Sequence, residues 1–113
     1  MDKLKTIFIS GVFNILHPGH QRIIKYAHEI ADNLVIGVYS NKKAGDQAII
    51  SEEYRLEGVK NNIYVTDAFL LDEEVEDYLR SARPEAVLKG KEWEFKKNKE
   101  MESLKEYGGR LIF

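Results

Sequence analysis

Ser10-Gly11-Val12-Phe13-Asn14-Ile15-Leu16-His17-Pro18-Gly19-His20 is the stretch whose reading decides the fold. It follows Leu4-Lys5-Thr6-Ile7-Phe8-Ile9-Ser10, a run rich in β-branched and aromatic residues that stops at Gly11 and reads as a strand buried on both faces. Downstream, Ile23, Ile24, Ala27, Ile30 and Ala31 fall at i, i+1, i+4, i+7 and i+8 and make one apolar stripe. That spacing predicts an amphipathic helix over 18–31, with Pro18 in its first turn, where the missing N–H costs nothing. Gly11 lets the backbone turn sharply and approach a ligand. Free N–H groups at the helix start, together with the macrodipole, favour an anion there. Gly19 keeps that turn free of a side chain.

His17 and His20 share a face if both lie on the first turn, and can present two N–H donors to one phosphate. The helix N-terminus disfavours imidazolium and a bound polyphosphate favours it, so the charge state stays open. The pair could also be two surface histidines or a weak metal pair. Zinc is disfavoured, because His28 is the one further histidine and the chain has no cysteine.

Working outward, Asp32-Asn33 ends the helix and residues 34–39 form a second apolar strand. A polar loop spans 40–47. Ser51 reads as an N-cap, with Glu52 and Glu53 suiting the positive end of a helix through Asn61. Residues 63–70 read as a strand. Asp72 to Glu74 open a helix with Val75, Tyr78, Leu79 and Ala82 inward, ending before Pro84. Residues 86–88 form a short strand, 94–107 a last helix stopped by Gly108-Gly109, and 110–113 a final strand. Alternating strands and helices imply right-handed βαβ units. The expected fold is therefore α/β, a Rossmann-like three-layer α/β/α arrangement with a five-stranded parallel sheet. Ligands bind such sheets beyond the carboxyl ends of the strands, so the loops after Ser10, Tyr39 and Leu88 should share one rim.

With 113 residues the chain reads as a single domain, 1–113. A net charge of −2 argues against a general nucleic-acid binder, and no apolar run is long enough to span a bilayer. The absence of cysteine and of a signal-peptide pattern makes the cytoplasm the expected compartment. Lys96-Lys97 reads as a solvated helix face.

Gly11-Val12-Phe13-Asn14 followed by His17-Pro18-Gly19-His20 resembles the G-x-F-D and H-x-G-H signature of the cytidylyltransferase-like nucleotidyltransferases. That family includes glycerol-3-phosphate cytidylyltransferase and the heptose 1-phosphate adenylyltransferase domain. Ser51-Glu52-Glu53-Tyr54-Arg55 resembles the family's helix start with a phosphate-binding Arg, and Lys89-Gly90-Lys91-Glu92-Trp93 resembles its K-G-G-D-Y and G-D-D-W segments. The resemblance implies a transferase that moves CMP or AMP from CTP or ATP, with Mg²⁺, to a sugar phosphate or polyol phosphate and releases pyrophosphate. It implies that His17 and His20 hold the nucleotide phosphates and stabilise a pentacoordinate transition state. Gly11, Val12, Phe13 and Gly19 would line the nucleotide pocket, and Lys42 or Lys43, with Arg55, would neutralise the phosphates. Gly90, Glu92 and Trp93 would sit near ribose and base.

Each of these has a plainer reading: Lys42 and Lys43 as solvated loop residues, Arg55 paired with Glu52 or Glu57, Trp93 as packing. Asn14 departs from the family's Asp, and Lys91-Glu92 from its Gly-Asp. Family members continue past the last strand into a Ser/Thr-rich loop, so the sequence reads as a domain truncated or cut from a longer protein. Homodimers and a sugar-kinase fusion are further expectations from the resemblance. A non-catalytic nucleotide-binding or regulatory module is the alternative, and a flavodoxin-like domain with incidental histidines the third reading.

Overall fold

The computed structural model describes residues 3–90 and 94–113. Five strands, β1 (Leu4–Gly11), β2 (Ala31–Tyr39), β3 (Asp67–Leu71), β4 (Ala86–Leu88) and β5 (Arg110–Ile112), form one parallel sheet in the order β3-β2-β1-β4-β5. The connecting helices are α1 (Pro18–Ile30), α2 (Asn41–Ala44), α3 (Glu52–Lys60), α4 (Val75–Ala82) and α5 (Glu100–Tyr107).

The strand period of two sorts the core into two layers. Ile7 and Ile9 point to one face, where they pack with Ile24 and Ala27 of α1, Val59 of α3, and Leu34, Ile36 and Val38 of β2. Phe8, between them, points to the other face and packs with Leu71, with Val75 and Leu79 of α4, and with Leu104 of α5. Phe8 is fully buried and its ring lies 4.5 Å from that of Tyr78. β1 is therefore covered on both sides, the condition that made its sequence continuously apolar.

The elements depart from the sequence reading in six places. Asp32-Asn33 does not break the chain: Ala31 is already extended while its N–H still caps Ala27 O, so helix passes directly into strand. β3 begins at Asp67 rather than 63, because Asn62 folds the chain into a turn, its side-chain oxygen accepting from Tyr64 N at 2.9 Å and its carbonyl from Val65 N at 3.1 Å. Ile63 is left 86% exposed. The polar 40–47 segment contains α2 and a short 3₁₀ turn, Gly45–Gln47, started by the Ser40 hydroxyl accepting from Lys43 N at 3.1 Å. Ser51 stands at the N-cap of α3 without a side-chain capping bond. The last helix starts at Glu100, not 94, and Ala82 of α4 is exposed.

The sheet order reverses between β1 and β4. From β1 the chain winds outward to β2 and β3, then crosses back to β4 and β5. A crevice opens at the carboxyl ends of the two strands that flank such a reversal.

Candidate nucleotide site

A cavity of about 510 Å³ occupies that crevice. Its floor is Ile9 and the end of β4, Val87 and Leu88; one wall is Ser10 to Phe13 with His20, Ile23 and Ile24 of α1. Tyr39 and Gln47 close a second side, and Lys89, Gly90, Lys97, Lys99 and Glu100 a third. An apolar base under a polar rim suits a small organic molecule with charged groups.

Of the residues named from sequence, the cavity brings together Gly11, Val12, Phe13, His20 and Gly90. His17 and Gly19 are not among its lining residues: His17 is the N-cap of α1 and Gly19 lies in its first turn, beside His20. Lys42 is exposed, and the Lys43 ammonium lies 4.9 Å from the centre of the Tyr39 ring. Glu92 and Trp93 lie outside the described residues.

The helix start is built differently from the expectation of free N–H groups. His17 is the N-cap, and its Nδ1 accepts from Gly19 N at 3.0 Å and His20 N at 3.4 Å. Two of the amides expected to meet an anion are thus already used. Accepting at Nδ1 places the proton of the neutral imidazole on Nε2, which is left as the donor. The His20 ring stacks on that of His17 with centroids 3.8 Å apart, and its Nδ1 lies 3.1 Å from Ile15 O. Gly19 is what permits this: a Cβ there would stand 2.7 Å from His17 Cε1 and 3.0 Å from Nδ1. The glycine serves the histidine ring rather than the ligand.

The sharp turn expected at Gly11 occurs at Phe13, a non-glycine residue held at φ 55°. Such a backbone costs energy and persists only where neighbours enforce it. The Phe13 ring meets the His20 ring edge-on at 5.4 Å, and a Cβ on Gly11 would stand 3.2 Å from Phe13 Cε2. Gly11 therefore makes room for Phe13. Asn14 ties the same loop to the next: its amide nitrogen donates to Gln47 O at 2.8 Å, and its oxygen accepts from Ile49 N at 2.8 Å and Ile50 N at 3.3 Å. An aspartate could not make the first of these bonds.

Arg55 is placed away from the cavity. It is 2% exposed, and its guanidinium donates to Ile50 O at 2.7 Å, Val12 O at 2.8 Å, Tyr39 O at 2.6 Å and Asn41 Oδ1 at 2.9 Å. It pairs with neither Glu52 nor Glu57; Glu52 instead accepts from Asn41 N at 2.7 Å. In this geometry Arg55 ties together the β1–α1 loop, the end of β2 and the approach to α3.

The cavity is also lined by Ser10, Tyr39 and Lys89, at the three loops that the sequence put on one rim without naming them as site residues, and by Lys97, Lys99 and Glu100, which sequence reasoning missed. Tyr39 OH lies 3.5 Å from Ser10 Oγ, and burial pushes its phenol above the ordinary value, with the Ser10 bond opposing. Only pairing β1 with β2 and β4 brings these positions together.

A parallel α/β sheet with a crevice at its switch point defines a domain of Rossmann-like class. The cytidylyltransferase-like family profile matches residues 8–110, and the chain belongs to this nucleotidyltransferase family. It is 34% identical to the FAD synthase of Methanosarcina acetivorans over 83% of this chain and 64% of that protein. With the FAD synthase of Ferroglobus placidus it shares 31% over 93% of this chain and 71% of the other. The bifunctional protein HldE of Gluconobacter oxydans is 25% identical over 96% of this chain, which spans 24% of that protein. The chain thus covers less than two thirds of the first of these relatives and about a quarter of HldE. In fold it resembles the lipopolysaccharide core biosynthesis protein from Thermoplasma volcanium, with TM-score 0.80, 22% identity and coverage of 97% and 96% of the two chains. Among the described residues, no helix is long and apolar enough to cross a membrane.

Proposed function

We propose that this chain transfers a nucleotidyl group, AMP or CMP, from ATP or CTP to a phosphate monoester and releases pyrophosphate. The observation that carries the reading is the cavity at the β1/β4 switch point, where His20 and the Gly11–Phe13 backbone meet. The acceptor phosphate oxygen attacks the α-phosphorus, the bond to the bridging oxygen breaks in line, and pyrophosphate leaves with the electron pair. No protein nucleophile is needed, so catalysis rests on positioning and on donors aimed at growing negative charge. His17, held by its capping bonds at Nδ1, and His20, stacked upon it, are the donors assigned to that role.

Three relatives above 30% identity are FAD synthases. FAD is flavin mononucleotide joined through its phosphate to AMP, which makes FMN the first acceptor to try, ahead of sugar and polyol phosphates. HldE is bifunctional, which supports a reading in which such a unit is joined to a kinase in some parent proteins. For a divalent ion, no three His, Cys, Asp or Glu gather among the described residues into a ready-made cage, and Glu100 on the cavity wall is held by Lys89 at 2.9 Å. Mg²⁺ is therefore assigned to the incoming nucleotide as part of the substrate.

The test is pyrophosphate release with Mg²⁺ and ATP or CTP against FMN, glycerol 3-phosphate and sugar 1-phosphates. Turnover with one pair is expected, reduced about 10²- to 10³-fold in His20→Ala and in His17→Ala. Nucleotide binding without release for any acceptor would favour the non-catalytic module, and no binding at all would end the proposal.

A further inference from the structure

The charge on the cavity wall runs against that of the chain. The molecule carries a formal −2, yet among the described residues its cavity is lined by three lysines, Lys89, Lys97 and Lys99, against one carboxylate, Glu100. Lys89 and Glu100 pair at 2.9 Å with side chains only 19% and 15% exposed, so they balance each other. What remains among the described lining carboxylates and lysines is the charge of Lys97 and Lys99.

Their position is engineered by the same network. Lys89 directly follows β4, and its ammonium donates to Asn98 Oδ1 at 2.8 Å as well as to Glu100. Asn98 is the residue between the two lysines, and its own amide nitrogen donates to Lys96 O at 2.9 Å. The end of a core strand therefore pins the middle of the 96–100 segment and holds Lys97 and Lys99 on the cavity wall. Lys97 is exposed, as the sequence reading expected, but it is not on a helix: α5 has not yet begun there.

We infer that Lys97 and Lys99 are a second phosphate-binding wall, contacting the cavity from the β4–α5 side as His20 does from the β1–α1 side. The inference rests on the proposed function, which requires two phosphate-bearing substrates in one crevice. Each ammonium is a compact charge on a flexible stem, suited to following phosphate oxygens that change position and charge during transfer. Positive charge on two sides of a concave site also raises the local concentration of anionic substrates.

The experiment is calorimetric titration of the protein with ATP, inorganic pyrophosphate, FMN and glycerol 3-phosphate, each at two salt concentrations. The variants are Lys97→Gln, Lys99→Gln, the double variant, and Lys105→Gln as an exposed control outside the cavity. Each cavity substitution is expected to weaken phosphate binding about three- to fivefold and the pair about tenfold or more, with a flatter salt dependence. Lys105→Gln is expected to change neither. Loss for ATP and pyrophosphate assigns the lysines to the triphosphate; loss confined to FMN or glycerol 3-phosphate assigns them to the acceptor. Either supports the inference. A wild-type protein that binds ATP, with a folded double variant that binds all ligands equally well at the same salt slope, overturns it and leaves the proposed function standing. A wild type that binds none of the four overturns both.

Discussion

Single residues show how closely this site depends on local geometry. Gly19 has room for no side chain because the His17 ring folds back over the helix start, 2.7 Å from where a Cβ would be. Gly19→Ala should displace that ring, break its bonds to the Gly19 and His20 amides, and cost about 1 kcal/mol of helix capping. Turnover should fall far more than stability does; pyrophosphate release compared with a thermal melt checks this. Arg55 makes the opposite case. Its four hydrogen bonds run to three backbone carbonyls and to Asn41, all inside the protein. Arg55→Lys keeps the charge but loses the planar fork, and should destabilise the fold by about 2–4 kcal/mol in chemical unfolding. A fully stable variant with weakened ATP binding would instead return Arg55 to the phosphates.

At the scale of elements, loop contacts decide where helices and strands begin. Asn62 delays β3 by making a turn with its own side chain, and the Lys89–Asn98 contact holds the 94–99 segment out of α5. Neither effect lies in hydrophobic periodicity, which is why the sequence placed both boundaries several residues early. Helix α5 also contains Ser103, fully buried beside Leu104, whose hydroxyl has no partner among the described residues. An unmade buried hydrogen bond is costly, so Ser103→Ala should raise unfolding stability by about 1 kcal/mol. Urea denaturation measures this, and a loss of stability would mean that the hydroxyl has a partner after all.

For the whole molecule, pH response follows from three tyrosines that bridge core and solvent. Burial is the main cause that raises the phenols of Tyr39, Tyr78 and Tyr107 above their ordinary value; Asp67 adds to it at Tyr78, and Arg83 opposes it at Tyr107. A raised folded value means that the native state holds its protons longer than the unfolded chain does. Their contribution is fully present below the unfolded value of about 10 and is lost as pH rises through the folded values. Melting temperature should accordingly fall steeply above about pH 10, and Tyr78→Phe should make the fall shallower. A flat profile there would refute the burial argument.

The sequence alone determined the α/β class, the parallel sheet and the crevice after β1, because those follow from apolar runs, helical periodicity and the handedness of βαβ crossovers. Its motifs and the family resemblance they carry also marked Gly11, Val12, Phe13, His20 and Gly90, all of which line the cavity. Only the tertiary structure decided that Arg55 faces carbonyls, that Gly19 yields space to His17, and that Lys97 and Lys99 reach the cavity. The first and the last depend on segments distant in the chain: Arg55 bonds Val12 across 43 residues, and Lys97, Lys99 and His20 line one cavity only because β1 pairs with β4. The Gly19–His17 contact is local and depends on how the ring folds back. Periodicity records which face of an element is buried; it carries no record of which loop that element will meet.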